Sequence, residues 1–352
     1  MTHGKTLRSP AALAEAGLIA PDRLPALERV AARYAVAVTP ASLALIDADD
    51  AHDPIARQYL PDAAELDAAP GESADPVGDL THSPVEGVVH RYPDRALLML
   101  THTCATYCRF CFRRESVGGA GTLSPAALRK AMAYIAGDPN IWEVILTGGD
   151  PLVLSPRRLA AVMAELARIE HCKVVRVHTK VPAVDPARIT AEMVAALRCP
   201  GKAVYVALHV NHPRELTPQV RAACARLIDA GLPMLSQTVL LAGVNDDPEV
   251  LGQLMRGFVE TRIKPYYLHH GDFAPGTAHL RASIGQGQEL MRALRGRLSG
   301  LCQPTFVLDI PGGHGKVPIG PAYLQAGETG QCVEDPWGGR HPYPPGALDP
   351  NP

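Results

Sequence analysis

Three cysteines fall close together, as Cys104, Cys108 and Cys111, in the spacing Cys-x3-Cys-x2-Cys. Three thiolates on one short loop can hold three corners of a cubane iron–sulfur cluster, which leaves the fourth iron open to a small molecule. A structural zinc would instead want four closed ligands, commonly in paired Cys-x2-Cys knuckles, and the sequence has no second knuckle. The remaining cysteines, Cys172, Cys199, Cys224, Cys302 and Cys332, are scattered singly. Two glycine-rich stretches also draw attention. Gly148-Gly149-Asp150-Pro151 reads on its own as an ordinary turn. Pro311-Gly312-Gly313-His314-Gly315-Lys316 displays a lysine on a loop whose backbone can approach a ligand closely. A phosphate-binding P-loop would place Ser or Thr after the lysine, and here Val317 follows. That leaves a plain turn, the better reading of these residues alone, or a lysine that forms a Schiff base with pyridoxal phosphate (PLP).

These residues need elements to position them. Short β-rich apolar runs occur at Ala96–Thr101, Glu143–Gly148, Val174–Thr179, Ala203–His209, Pro233–Leu241, Lys264–His270 and Thr305–Ile310. Between them, apolar residues recur three and four apart behind Ser124-Pro125, Ser155-Pro156 and Thr217-Pro218. A Ser or Thr cap followed by Pro is a sound helix start, because that proline lacks only an N–H that would be orphaned anyway. Strand–helix alternation at this spacing predicts a parallel sheet covered on both faces, a partial or complete α/β barrel. Its chemistry is then expected at the C-terminal ends of the strands. Residues 1–90 are expected to form an N-terminal extension, helical near 10–35 and 40–60 and loop-like over 61–90. Residues 91–322 form the barrel, and 323–352 an irregular tail.

Composition narrows the function classes. The 352 residues are 47% hydrophobic and carry 34 basic against 36 acidic side chains. A disordered chain and a polyanion binder are both excluded by those values. The longest apolar runs are too short to cross a bilayer, and residues 1–24 lack the apolar core of a secretory signal. A cytoplasmic protein with no nucleic-acid or membrane partner is expected, its cysteines reduced.

With these motifs assembled, the chain resembles a known family. Cys-x3-Cys-x-Phe-Cys after the first strand, with Phe110 as the aromatic, resembles the radical S-adenosylmethionine (SAM) superfamily. Asp309-x-Pro-Gly-Gly-x-Gly-Lys316 narrows the resemblance to the lysine 2,3-aminomutase family. Further stretches match in order: Asp53-Pro54-Ile55, Ser83-Pro84-Val85, His90–Arg95, Arg113-Arg114 and Lys264–Leu268. The resemblance covers roughly residues 50–325 and implies a crescent-shaped (β/α)6 barrel in which a [4Fe-4S] cluster, SAM and PLP meet. It implies that Cys104, Cys108 and Cys111 hold the cluster, and that Gly148, Gly149, Asp150, His209 and Gln237 contact SAM. Lys316 would carry PLP, with Arg91, Tyr92 and Arg95 about its phosphate and ring. Arg113 would grip the substrate α-carboxylate, a task for a planar bidentate donor. Asp272 and Asp309 fall where the lysine enzymes bind the ε-ammonium. A glutamate-specific relative would need a cation or a neutral donor there.

The implied activity is migration of the L-lysine α-amino group from C2 to C3 to give β-lysine, with flavodoxin or ferredoxin as electron donor. The same chemistry could serve β-lysylation of elongation factor P, or act on another cationic amino acid. A non-catalytic iron–sulfur, SAM-binding sensor is the reading from another class, and retention of Lys316, Arg113, Asp272 and Asp309 argues against it. An RNA-modifying enzyme would need a basic groove or an added RNA-binding domain, and the charge offers neither. The family's zinc cysteines are missing, with Asp247 after Asp246 and only Cys332 in the tail. Structural zinc is therefore not expected, and a homo-oligomer, if formed, would lack the family's zinc link. His314 is a further departure from the family's loop.

Overall fold

The computed structural model describes residues 4–119, 121–327 and 330–344. Its core is a sheet of nine strands in sequence order: β1 (Val88–Tyr92), β2 (Arg95–Thr101), β3 (Glu143–Gly148), β4 (Val174–Thr179), β5 (Ala203–His209), β6 (Met234–Val239), β7 (Ile263–His269), β8 (Thr305–Asp309) and β9 (Lys316–Pro318). Pairing is parallel from β2 through β8 and antiparallel at both edges, β1 on β2 and β9 on β8. Six βα units followed by β8 make the expected partial (β/α)6 barrel. Strands β3, β4 and β5 match the apolar runs residue for residue, and β2, β6, β7 and β8 differ from them by one or two residues at an end.

Helices lie between the parallel strands: α5 (Pro125–Gly137), α6 (Pro156–Ala167), α9 (Pro218–Asp229), α10 (Pro248–Glu260) and α11 (Ile284–Leu294), with the short α7 (Val181–Val184) and α8 (Ala191–Ala196) between β4 and β5. The Ser-Pro and Thr-Pro starts behave as expected. Ser124, Ser155 and Thr217 each accept a hydrogen bond from the backbone N–H three residues on. The buried stripes of these helices, such as Leu159, Val162, Met163 and Leu166 of α6, pack on the strands in one continuous core. Among the described residues, no helix is long and apolar enough to cross a membrane.

The N-terminal extension holds short helices α1 (Pro10–Glu15), α2 (Leu24–Arg33), α3 (Pro40–Leu43) and α4 (Ala56–Tyr59). The tail departs from expectation. Its described residues are not irregular but form a separate antiparallel sheet of β10 (Leu324–Gly327), β11 (Gly330–Glu334) and β12 (Arg340–Tyr343); residues 345–352 of the expected tail lie outside the described residues. The strands of this sheet are mostly exposed or half-buried, so they carry none of the apolar alternation that announces a strand.

Two features place the site. The sheet does not close on itself, but side chains span the gap between its edges. Tyr92 at the end of β1 accepts a hydrogen bond from the Lys316 N–H of β9 at 2.7 Å, and Arg91 Nη1 lies 3.8 Å from Asp309 at the end of β8. The cysteine loop after β2 is held by the N-terminal extension. Tyr107 N–H donates to Ala37 O at 3.1 Å, Arg109 N–H to Gln58 O at 2.9 Å, and Thr106 Oγ1 to Ala37 O at 2.6 Å. Beneath the loop, the fully buried carboxylate of Glu65 accepts from both Arg109, with Nε to Oε1 at 2.9 Å, and Arg114. Removing that anion strands two buried guanidiniums. Glu65→Ala should cost about 3–5 kcal/mol of stability and weaken iron retention, checked by denaturant unfolding and iron content of the purified protein.

Candidate active site

Every site residue singled out from the sequence lines one cavity of about 750 Å³ inside the curled sheet, a volume that suits small-molecule ligands. The strands deliver them. Arg91 and Tyr92 come from β1, Gly148 from the end of β3, His209 from β5, Gln237 from β6, Asp309 from β8 and Lys316 from β9. Cys104, Cys108, Cys111 and Arg113 come from the loop after β2, and Asp272 from the loop after β7.

At one end stand the three cysteines, all free thiols. Burial raises each thiol, and the neighbouring cysteines add to it at Cys104 and Cys108, with Cys108 pushed up to about 12 and Cys104 well above its ordinary value, while nearby arginines temper the rise at Cys111. Three half-buried thiols that resist ionisation alone, but become thiolates on a soft cation, fit the cluster. Gly148 and Gly149 press directly on this loop. A Cβ on Gly149 would sit 2.3 Å from Thr103 O, and one on Gly148, at φ 109°, would sit 2.5 Å from Thr101 O. Both positions therefore need glycine. Asp150 lines the same cavity, and its carboxylate accepts from the N–H groups of Leu152, Lys180 and Val181 and from Thr179 Oγ1, so both oxygens are engaged by the protein. That arrangement ties the β3 turn to the end of β4.

His209 stacks on Phe110, the aromatic of the cysteine loop, with ring centroids 5.4 Å apart and planes at 19°. Burial, with Lys180 nearby, pushes His209 down to about 3, and its Nε2 is buried without a partner among the described residues. A neutral imidazole with an orphaned ring nitrogen beside the cluster loop fits a polar ligand such as SAM. Gln237 meets His178 of β4 at 3.5 Å.

The opposite end is charged. Lys316 Nζ pairs with the Asp309 carboxylate and lies 3.1 Å from His269 Nδ1. Burial, with the Lys316 charge adding, pushes His269 down to about 4, so the imidazole is neutral. Burial alone would raise Asp309, but hydrogen bonds from His269 and Lys316 and the Lys316 charge outweigh it and hold the carboxyl well below its ordinary range. Asp272 goes the other way, pushed up to about 7 by burial and by the neighbouring Asp309 charge. Arg95 lies over the Tyr92 ring at 3.7 Å and pairs with Asp94 at 2.6 Å. Arg91 contributes a buried Nε without a partner among the described residues. A lysine amine beside an orphaned arginine donor and one further cation, Arg95, fits a phosphate-bearing aldehyde such as PLP.

The sequence reading overlooked several lining residues. His178 and His269 sit at or next to the ends of strands, where the strand-end rule could have found them. Arg176 chelates Glu143 through Nε at 2.9 Å and Nη2 at 3.1 Å. Lys180 pairs with buried Glu215 at 2.7 Å. Asp79 bridges Arg91 and Arg113, a contact with no local sequence signal.

Known proteins resemble the chain over most of its length. The family model "Radical SAM superfamily" matches residues 98–254, and the "Lysine-2,3-aminomutase" model matches 291–339. An L-lysine 2,3-aminomutase of Clostridium subterminale is 42% identical over 82% of this chain and 70% of its own. The L-lysine 2,3-aminomutase of Acetoanaerobium sticklandii is 39% identical over 87% and 74%. The glutamate 2,3-aminomutase of Clostridioides difficile is also similar, 36% identical over 89% and 74%. The close packing of the glycine turn on the cysteine loop makes a prediction. Gly149→Ala must displace Thr103, at a cost of about 1–3 kcal/mol, and the reconstituted protein should hold less iron than the wild type. Gly137→Ala, where a Cβ meets nothing within 4 Å, should leave iron content unchanged.

Proposed function

The chain belongs to the lysine 2,3-aminomutase family of radical SAM enzymes, and on that premise we propose that it moves the α-amino group of L-lysine from C2 to C3 to give β-lysine. The isomerase class and the [4Fe-4S], SAM and PLP cofactors come with the family. When bound, the reduced cluster and SAM supply a 5′-deoxyadenosyl radical, and PLP supplies a conjugated ring that spreads the substrate's unpaired electron.

The choice of lysine rests on one observation: Asp272 and Asp309 both line the cavity, and the Asp309 charge is felt at Asp272. Two acids at this place would compensate the desolvation of a substrate ammonium and repel the side-chain carboxylate of glutamate. Arg113, carried by the cysteine loop into the charged wall, would take the α-carboxylate in a bidentate grip. Cys104, Cys108 and Cys111 would hold iron, with Gly148, Gly149, His209 and Gln237 around SAM.

Lys316 and Asp309 act together in this reading. Asp309 shields the Lys316 ammonium, and neutral His269 offers a second polar partner to Nζ. With PLP held on Lys316, Nζ would no longer present a free ammonium to Asp309, and the carboxylate would be available to the substrate's side-chain ammonium. The substrate would thus replace the charge that the enzyme's own lysine presented. The electron would come from a one-electron donor such as flavodoxin or ferredoxin.

The deciding experiment is a product assay. Protein purified without oxygen, reconstituted with iron and sulfide, and given PLP, SAM, reductant and L-lysine should form β-lysine, detected by mass spectrometry after derivatisation. Cleavage of SAM without β-lysine would refute the substrate and keep the radical machinery. Asp272→Lys should abolish turnover of L-lysine; unchanged lysine kinetics would remove the argument from the two acids.

Acidity at Asp272 gives a second expectation. Its carboxyl, at about 7, must ionise to bind an ammonium. The ionised fraction rises from roughly one tenth at pH 6 to roughly nine tenths at pH 8. KM for L-lysine should therefore fall several-fold as pH rises through 7, and Asp272→Asn should flatten that part of the profile.

A further inference from the structure

A segment outside the barrel closes the charged end of the cavity. Asp75 folds it back on itself, accepting the N–H of Asp79 at 2.7 Å and of Leu80 at 2.9 Å. The segment then seats on the loop that carries Lys316. Gly312 N–H donates to Pro76 O at 3.2 Å, and a Cβ on Gly78 would stand only 2.8 Å from Gly313 Cα. This close seating carries the Asp79 side chain into the cavity wall.

There Asp79 uses both carboxylate oxygens. Oδ2 accepts from Arg113 Nε at 2.7 Å and Oδ1 from Arg91 Nη2 at 3.1 Å. All three side chains are largely buried, at 11–13% exposure. Two guanidiniums that share one low-dielectric wall repel each other, and a long arginine side chain has many rotamers to lose when it binds. The carboxylate removes both penalties before any ligand arrives. Arg113 is also tied through Nη1 to Thr147 Oγ1 at 3.4 Å. Its Nη2 has no hydrogen-bond partner among the described residues, so part of the fork is still available.

We infer that Asp79 is a positioning residue for amino-acid recognition: by bridging Arg113 and Arg91 it fixes the Arg113 guanidinium with its free edge set to receive the substrate α-carboxylate. This rests on the reading of Arg113 as the partner of that carboxylate. Asp79 itself does not touch the substrate. Its effect is preorganisation, paid into affinity for the carboxylate end of the ligand and not for its side chain.

The test uses PLP-loaded, cluster-reconstituted enzyme without reductant, so that binding is read apart from turnover. L-Lysine and L-lysinamide, which lacks the carboxylate, are titrated against the PLP absorbance of wild type, Asp79→Asn and Asp79→Glu. Asp79→Asn should weaken L-lysine binding by about ten- to a hundredfold and L-lysinamide by less than about threefold. Asp79→Glu should restore part of the loss. In turnover, KM should rise more than kcat falls. Equal weakening of both ligands, or no change in either, would overturn the inference; equal weakening would leave Asp79 as a clip for the segment only. If wild type answers to another L-amino acid and not to lysine, the lysine reading fails, and Asp79 is judged on that amino acid and its amide by the same criterion. Should Asp79→Asn fold poorly, by loss of PLP and iron together, Asp79→Glu carries the comparison, and weakening confined to the carboxylate-bearing ligand supports the assignment.

Discussion

One buried carboxylate sets the position of the cluster loop. Glu65 accepts from Arg109 and Arg114, and the desolvation of three charges is offset further by backbone carbonyls that take up other donors of both guanidiniums, although Arg114 Nε is buried with no partner among the described residues. Arg109 Nη1 reaches Ala35 O at 2.8 Å, Arg114 Nη1 reaches Gly276 O at 3.0 Å, and the Arg114 guanidinium lies over the Tyr34 ring at 3.6 Å. Glu65 is therefore the meeting point of the N-terminal extension, the cysteine loop and the loop after β7. The backbone contacts are as tight as the charges. A Cβ on Gly276 would fall 2.1 Å from Glu65 O. Because Asp272 lies in that same loop after β7, the iron end and the acid end of the cavity share one anchor. Two cations on one anion also leave surplus positive charge beside three ligands that must become thiolates.

The charged wall continues the alternation of sign. Arg113, Asp79, Arg91, Asp309 and Lys316 follow one another in contact across the cavity. Each charge is held by neighbours of the opposite sign, so no member can be removed without unbalancing the next. Asp272 stands beside this row, in the field of Asp309; side chains bond its backbone carbonyl, but its carboxylate accepts no hydrogen bond among the described residues. That explains why two aspartates in one cavity differ so much: one is held ionised by its partners, and the other waits near neutrality.

How much of this was legible in the sequence depends on the range of the interaction. Strands β3, β4 and β5 were readable to the residue because both faces are buried and the apolar run is continuous. Helix starts were readable because a cap acts over three residues. The cysteine loop and the lysine loop were readable because their chemistry is packed into eight residues each. Strand β9 has three residues, one buried no further than halfway and two exposed, so nothing in its pattern marks a strand. The exposed strands of the tail are silent for the same reason. Glu65 and Asp79 are the harder losses. Each meets its arginines across 12 to 49 residues of chain, and a lone acid in a loop-like stretch looks the same whether it is solvated or buried under two guanidiniums.

The two edge strands show why the sheet stops where it does. A closed barrel would satisfy every backbone group but fill its interior with side chains. Here β1 and β9 run antiparallel to the rest and leave the sheet open. Reversal at β9 has a direct chemical consequence, since antiparallel register sets Lys316 opposite Asp309 and Val317 opposite Leu308. A slip of one residue would turn Lys316 to the other face and exchange it for Val317. The pairing of amine and acid is thus written in the ladder, not left to the flexibility of a lysine. Reversal at β1 does the same for the other edge, pairing Tyr92 with Arg95. Tyr92 and Arg91 then reach across to Lys316 and Asp309. The barrel is closed at this seam by functional side chains where it is not closed by backbone, and a seam made that way can accept a cofactor between its lips without breaking the sheet.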